Sequence, residues 1–281
     1  MRISIITACY HAVTTIGITI ESVLKQTWMD VEYIVVDGGS NDGTMDVVRE
    51  HEATFQGRMR WISEPDEGMY DALNKGIRTA TGEVVGILNA DDFLLDDGVL
   101  ERMAQAFLHP SPDGQRVDAV YADIRFVKEA ETLEALRNAQ VLRYYSARRW
   151  KPWMLRWGYM PPHPGVYIRR DAYEQFGVYK LGYHIAADYE LVIRFLRKNR
   201  VPMRYLDVCA VGMRIGGKST KNWKSTLLLN REIARGNREN GYFCYLPMLV
   251  PKYLFKVFEF IVPMTCHILR DRKGGGTCGL C

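Results

Sequence analysis

An α/β fold built on a mostly parallel central sheet, with helices on both faces, is what this chain of 281 residues predicts. Three observations carry that expectation. Short β-branched and apolar runs recur at residues 2–8, 31–36 and 83–88, near-continuous in the way of parallel strands covered on both faces. Between them, apolar residues fall at helical spacing. The second and third runs end in loops rich in Gly, Asp and Asn, as a strand does where it hands over to a helix.

Taken in order, residues 2–8 form the first strand, and Ile16, Ile20, Val23, Leu24 and Trp28 mark the helix after it. The run from Val31 to Val36 ends at Asp37-Gly-Gly-Ser-Asn-Asp-Gly and completes a βαβ unit. Met59 to Ile62 is a short strand, Tyr70 to Thr79 a helix, and Glu83 to Leu88 a strand that stops at Asn89-Ala-Asp-Asp92. Asp96 is placed to cap a helix bearing Val99, Leu100, Met103 and Phe107, and Val117 to Ala122 is a further strand. Residues 125–156, basic and aromatic, read as an insertion or lid. Order resumes with Val166 to Ile168, a helix near 171–176, a helix from Tyr189 to Lys198 and a strand from Met203 to Val211. A globular domain over residues 1–215 and a helical, basic and apolar extension over 216–281 follow.

With 47% apolar and 25% charged residues the chain lies at the globular average, which excludes disordered, collagen-like and coiled-coil classes. A formal charge of +4 is too small for wholesale nucleic-acid binding, so none is expected. The charge is unevenly spread. Residues 218–273 hold eleven Lys or Arg against four acids, leaving the first 217 slightly acidic. Six scattered cysteines show no small-domain disulfide spacing, and the terminal Cys278-x-x-Cys281 stands alone without a second pair or a nearby His. No secretory leader is visible in the opening run, so a reducing, cytoplasmic setting is expected.

Ligands of open parallel sheets bind outside the carboxyl ends of the strands, where free helix N–H groups converge. Three acidic positions fall there. Asp37 can accept from a nucleobase or ribose, with Gly38 and Gly39 allowing close backbone approach, or it can simply cap its own turn. In Asn89-Ala90-Asp91-Asp92, oxygens leaving a strand end can hold one hard divalent cation, which usually needs only one or two carboxylates plus substrate phosphate; alternatively Asp92 and Asp96 are helix-capping residues. Asp188 stands at the start of a helix, either as an ordinary cap or as a base for an attacking hydroxyl.

Six segments in order, Ser4-Ile-Ile-Thr-Ala-Cys-Tyr10, Val35-Val-Asp-Gly-Gly-Ser-Asn-Asp-Gly-Thr44, Ser63-Glu-Pro-Asp-Glu-Gly-Met-Tyr-Asp-Ala-Leu-Asn-Lys-Gly76, Ala80-Thr-Gly-Glu83, Leu88-Asn-Ala-Asp-Asp92 and Ala187-Asp-Tyr-Glu-Leu191, resemble the inverting family 2 glycosyltransferases of the GT-A fold, of the bacterial exopolysaccharide and O-antigen type. The resemblance covers about residues 2–220. It implies a Rossmann-like GT-A domain with a nucleotide-sugar half over 1–122 and an acceptor half over 123–215. Thr7, Ala8 and Tyr10 would line the nucleotide pocket, Asp37 would bind the base, Asp66 and Lys75 would lie near the ribose or diphosphate, and Asn89 and Ala90 would flank the donor. Asp91, with Asp92 beside it, would hold Mn²⁺ or Mg²⁺, Asp188 would be the general base, and His163 would lie on the acceptor side.

The implied reaction moves one sugar from a nucleotide-diphospho-sugar, UDP-linked by expectation, to a saccharide or polyprenyl-linked acceptor in surface polysaccharide synthesis. Asn89 replaces the first acid of the family's Asp-x-Asp, and the Gln-x-x-Arg-Trp motif of the processive synthases is absent. Two other readings stay open. Gly212-Met-Arg-Ile-Gly-Gly-Lys-Ser219 satisfies a P-loop pattern and points to a nucleotide hydrolase. A non-catalytic sugar-nucleotide-binding module, silenced by Asn89, is the second. Residues 242–263, interrupted by Pro247, Pro251 and Pro263, are too broken to span a bilayer. They suit either an in-plane helix on an anionic membrane or packing on the domain or a second subunit, so peripheral membrane association and homo-oligomers are both open.

Overall fold

The computed structural model describes residues 1–111, 114–214, 223–249 and 251–253. It shows an α/β architecture of nine strands in one sheet: β1 (Ile3–Cys9), β2 (Val31–Asp37), β3 (Met59–Ser63), β4 (Val84–Ile87), β5 (Phe93–Leu94), β6 (Ala119–Val127), β7 (Val141–Tyr145), β8 (Val166–Arg169) and β9 (Met203–Arg214). The helices are α1 (Ile16–Leu24), α2 (Thr44–Glu52), α3 (Met69–Thr79), α4 (Val99–Leu108), α5 (Leu133–Arg137), α6 (Arg170–Phe176), α7 (Ala187–Val192) and α8 (Trp223–Glu239). The sheet order is β3-β2-β1-β4-β8-β6-β9-β5, with β7 beside β6. The parallel pairings of β1, β2, β3 and β4, and of β6 with β9, set six strands in one direction; β5, β7 and β8 run against them.

Every residue of β2 is buried, which is what its unbroken apolar run requires of a strand with helices on both sides. The period of two then divides the core. Ile6, Ile34, Val36 and Ile87 face α3 and α7 on one side, while Ile5, Tyr33 and Val35 face α1, α2 and α4 on the other. Helix α3 lies close on β1 because Gly76 has no side chain: a Cβ there would stand 2.5 Å from Ile6 Cγ2.

Two stretches differ from the sequence reading. The basic, aromatic stretch expected to be an insertion begins as sheet, because β6 runs on to Val127 and β7 returns antiparallel along it, Ile124 opposite Tyr145. Asp96 does not take the N-cap position, which falls to Gly98; its carboxylate accepts the Gly98 N–H and clasps Arg102 with two bonds of 2.7 Å.

Helix α8, in the expected extension, contributes Ile233 and Ala234 to the same core cluster as Tyr189, Leu191 and Phe195, and Leu249 joins them. Each large aliphatic side chain of this kind contributes about 1.5–3 kcal/mol when fully buried. Among the described residues no helix is long and apolar enough to cross a membrane. The Cys278-x-x-Cys281 pair and, within residues 242–263, positions 250 and 254–263 lie outside the described residues.

Candidate active site

Strand register gathers the carboxyl ends at one edge. Cys9 pairs with Asp37 and Asp37 with Ser63, so β1, β2 and β3 stop level. Ile6 pairs with Ile87, which brings the chain leaving β4 out beside them. Strand β8 is antiparallel to β4, so the turn at His163–Gly165 that precedes it arrives at the same edge.

Asp37 is fully buried and its oxygens are taken by its own surroundings. Oδ2 accepts from the Gly39 and Ser40 N–H groups at 3.2 and 3.0 Å and from the Ser63 hydroxyl at 2.7 Å, and Oδ1 accepts from the Ser40 hydroxyl at 2.5 Å. In this arrangement the carboxylate holds the turn that follows β2. The neighbouring loop after β3 presents Asp66, half-buried, whose Oδ2 lies 2.6 Å from where a Cβ on Gly38 would be and whose Oδ1 accepts the Gly68 N–H at 2.7 Å. Thr7 is turned into the core, where its hydroxyl meets that of Tyr33 at 3.1 Å, and Ala8 is half-buried. Tyr10 is 56% exposed and stacks on His11 with centroids 4.0 Å apart, a flat aromatic surface at the rim. Lys75 pairs with Glu64 at 2.8 Å and Asp71 at 3.4 Å and also donates to the Pro65 carbonyl, so its ammonium is tethered to the Asp66 loop.

After β4, Asp91 is half-buried and has no hydrogen-bond partner among the described residues, whereas Asp92 is turned inward with 1% exposure. Burial, and then the Asp91 charge, push the Asp92 carboxyl well above the usual aspartate range. Asn89 donates its amide to Asp92 Oδ2 at 2.7 Å, and Asp92 Oδ1 is buried with no partner among the described residues. Ala90 is buried between them. No three His, Cys, Asp or Glu side chains cluster as a cage among the described residues. The donor set still suits Mg²⁺ or Mn²⁺, which bind through one or two carboxylates and take the rest of their shell from phosphate and water. Asp91 is the available ligand; Asp92, expected beside it, faces the interior.

Asp188 lies in the first turn of α7, with Ala186 rather than itself as N-cap. Burial raises its carboxyl above the ordinary value, opposed by His163 nearby. His163 is pushed the other way by burial, toward the neutral imidazole, and its Nε2 is 2.6 Å from the Tyr179 hydroxyl. Tyr70 of α3 donates to the Ile185 carbonyl at 2.6 Å, and its hydroxyl also feels the Asp188 charge. Asn74, one turn further along α3, clamps Tyr179 by its backbone, donating to the carbonyl at 2.8 Å and accepting the N–H at 2.9 Å. Tyr70, Asn74 and Tyr179 are site residues that the sequence reading misses. The first two stand four apart in the motif containing Lys75, a spacing that puts them on one helix face and is the available signal; Tyr179 gives none.

A cavity of 540 Å³ lined by Pro152, Leu196, Arg197, Met203 and Tyr242 opens at the start of β9, at the opposite end of the sheet, and has no part in this chemistry. The P-loop reading fails at its first glycine. Gly212 lies within β9, paired with Phe93 and Arg125, where a phosphate loop would begin only after the strand; residues 215–219 lie outside the described residues.

A carboxylate without a partner among the described residues beyond β4 and a half-buried one of raised pKa in α7 thus stand at the same edge of a Rossmann-like sheet. The family described as glycosyl transferase family 2 matches residues 4–176, and the chain belongs to that family; it is a glycosyltransferase of the GT-A fold. A Mycobacterium bovis (strain BCG / Pasteur 1173P2) PGL/p-HBAD biosynthesis glycosyltransferase is 27% identical over 205 residues, 73% of each chain. Among solved structures, the 1–349 fragment of S. aureus TarS with UDP-GlcNAc superposes with a TM-score of 0.62 at 17% identity, over 92% of this chain and 73% of that one. The Pyrobaculum calidifontis mannosyltransferase PcManGT, with GDP-Man and Mn²⁺, gives 0.60 at 18%, over 98% and 76%. The chain spans 44% of the longer TarS chain.

Proposed function

We propose that this glycosyltransferase moves one sugar, with inversion, from a nucleotide-diphospho-sugar to a hydroxyl of a saccharide or polyprenyl-linked saccharide. The observation that carries the reading is Asp188, a half-buried carboxyl of raised pKa at the edge where Asp91 stands without a partner among the described residues. UDP-linked donors are the first to test, since the TarS fragment holds UDP-GlcNAc; the GDP-Man of PcManGT makes GDP-sugars the second. Family membership and the Asp188 pocket favour catalysis over a silent binding module.

In this reading Tyr10 and Asp66 receive the nucleoside, with Gly38 leaving room for the Asp66 carboxylate, and Lys75 swings from Glu64 toward the diphosphate. Asp91 would hold the divalent cation, which when bound stabilises negative charge on the departing diphosphate by several kcal/mol. Asp188 takes the proton of the acceptor hydroxyl as its oxygen forms the new bond to the anomeric carbon, while the bond to the diphosphate oxygen breaks on the opposite face. Direct displacement needs no covalent nucleophile and inverts the configuration. Raising the pKa of Asp188 strengthens it as a base, and base catalysis of this kind contributes about 10²–10⁴ in rate. A cytoplasmic setting, with the acceptor at the inner face of the membrane and a role in surface polysaccharide synthesis, completes the proposal.

The test is a thermal-shift screen of UDP- and GDP-sugars with and without Mn²⁺, followed by anomeric analysis of the product. A retained anomeric configuration, or no shift with any sugar nucleotide, would overturn it.

A further inference from the structure

We infer that Glu232 of helix α8, outside the family-matched segment, is a positioning residue that fixes the backbone from which Asp188 projects; the inference rests on Asp188 being the base. Glu232 is 5% exposed. Its carboxylate accepts three successive backbone N–H groups: His184 on Oε1 at 2.8 Å, then Ile185 and Ala186 on Oε2, both at 2.9 Å. These are the residues leading into α7, whose N-cap Ala186 has no capping side chain of its own. Donors at a helix start need a partner from somewhere, and here α8 supplies a charged one, which forms shorter and stronger bonds than a neutral acceptor.

The same peptide is gripped from both directions. Ile185 gives its N–H to Glu232 and its carbonyl to Tyr70, so the entrance to α7 is pinned between α8 and the donor-side helix α3. Beyond Asp188, the end of α8 takes hold again: Asn240 donates to Glu190 Oε1 at 3.0 Å and Asn237 lies 3.4 Å from the Tyr189 hydroxyl. Asp188 therefore sits on a short helix fastened on both sides by a segment remote in sequence. A displacement of about 1 Å at a reacting group costs up to about 10² in rate, and this fastening is what prevents it.

The test compares the native chain with its Glu232→Gln, Glu232→Ala, Asp188→Asn and Asp188→Asn/Glu232→Gln variants. Turnover is read as nucleoside diphosphate release from whichever of UDP-GlcNAc, UDP-glucose or GDP-mannose gives the largest thermal shift. Glu232→Gln, nearly isosteric, keeps the core filled. The expected results are a turnover loss of about 10²-fold, donor affinity within about twofold, and hydrogen exchange about tenfold faster in residues 184–190 with β1 to β4 unaltered. On an Asp188→Asn background the same change should cost less than about twofold, because the group being positioned is already disabled. Multiplicative losses in the double variant, unchanged exchange at 184–190, or a fall in donor affinity matching the fall in turnover would overturn the positioning role. Native turnover in Asp188→Asn would overturn the base reading underneath it, and is recognisable because it requires no change at Glu232.

Discussion

The donor loops and the Asp188 pocket stand at one edge of one sheet, yet they are built in opposite ways. Asp37 is satisfied largely from its own turn, by Gly39 and Ser40 two and three residues on. The surroundings of Asp188 come from α3, the His163 turn, the loop at Tyr179 and α8; the Tyr70 bond that steadies its approach spans 115 residues. The first arrangement leaves Asp91 and Tyr10 open to a ligand. The second surrounds a half-buried carboxyl with side chains from distant elements, and desolvation raises its pKa. Binding a charged nucleotide calls for accessible groups on preformed turns, whereas abstracting a proton calls for a desolvated one.

Replacing Asp188 by Asn separates the two regions most sharply. Turnover should fall by about 10²–10⁴ while the nucleotide-induced thermal shift is retained, measured by diphosphate release and melting on the same samples. Equal losses in both would erase the contrast. Next in size is the donor side: Asp91→Asn, or chelation with EDTA, should cut turnover by on the order of 10²–10³, the rate equivalent of several kcal/mol of lost charge stabilisation. Mn²⁺ should restore the chelated native protein and not the variant.

The pH dependence probes the pocket alone. Asp188, faced by Tyr70, His163 and Tyr179, must be ionised to act, and burial favours its protonated form. Turnover should thus fall with decreasing pH through a midpoint above the ordinary aspartate value of 3.8. The stability sign is opposite: a folded pKa above the unfolded one gives a contribution present below the unfolded pKa and lost as pH rises through the folded one. Asp188→Asn should then melt higher than the native chain at pH 7 and match it near about pH 4; a lower melting point at pH 7 would contradict the desolvated pocket. The smallest effect belongs to Gly38→Ala, whose methyl displaces the Asp66 carboxylate. Donor affinity should weaken by about five- to tenfold, roughly 1 kcal/mol, with stability changed by less than about 0.5 kcal/mol, since the displaced group is a side-chain end.

Most strands and helices are legible in the sequence because their signals are local: the buried run of β2, the helical spacing of α1 and α3, the Gly- and Asp-rich stops. Strand β5 and helix α2 are not, the one because two residues carry no period, the other because few of its side chains are buried. Within the site, Asp66, Asp91, Asp188 and His163 stand out by their motifs alone. What the carboxylates do is less legible: Asp37 and Asp92 carry the same residue type in similar loops as Asp66 and Asp91, and only packing shows that the first pair faces inward.

By itself, then, the sequence determined the α/β class, the strand ends where ligands must come and the family, since each depends on residues near one another in the chain. The tertiary structure alone decided which carboxylates are open, that burial raises the pKa of Asp188, and that α8 helps to build its surroundings. Those properties are sums over neighbours drawn from distant elements, and desolvation and hydrogen-bond partnership exist only once the chain has brought them together.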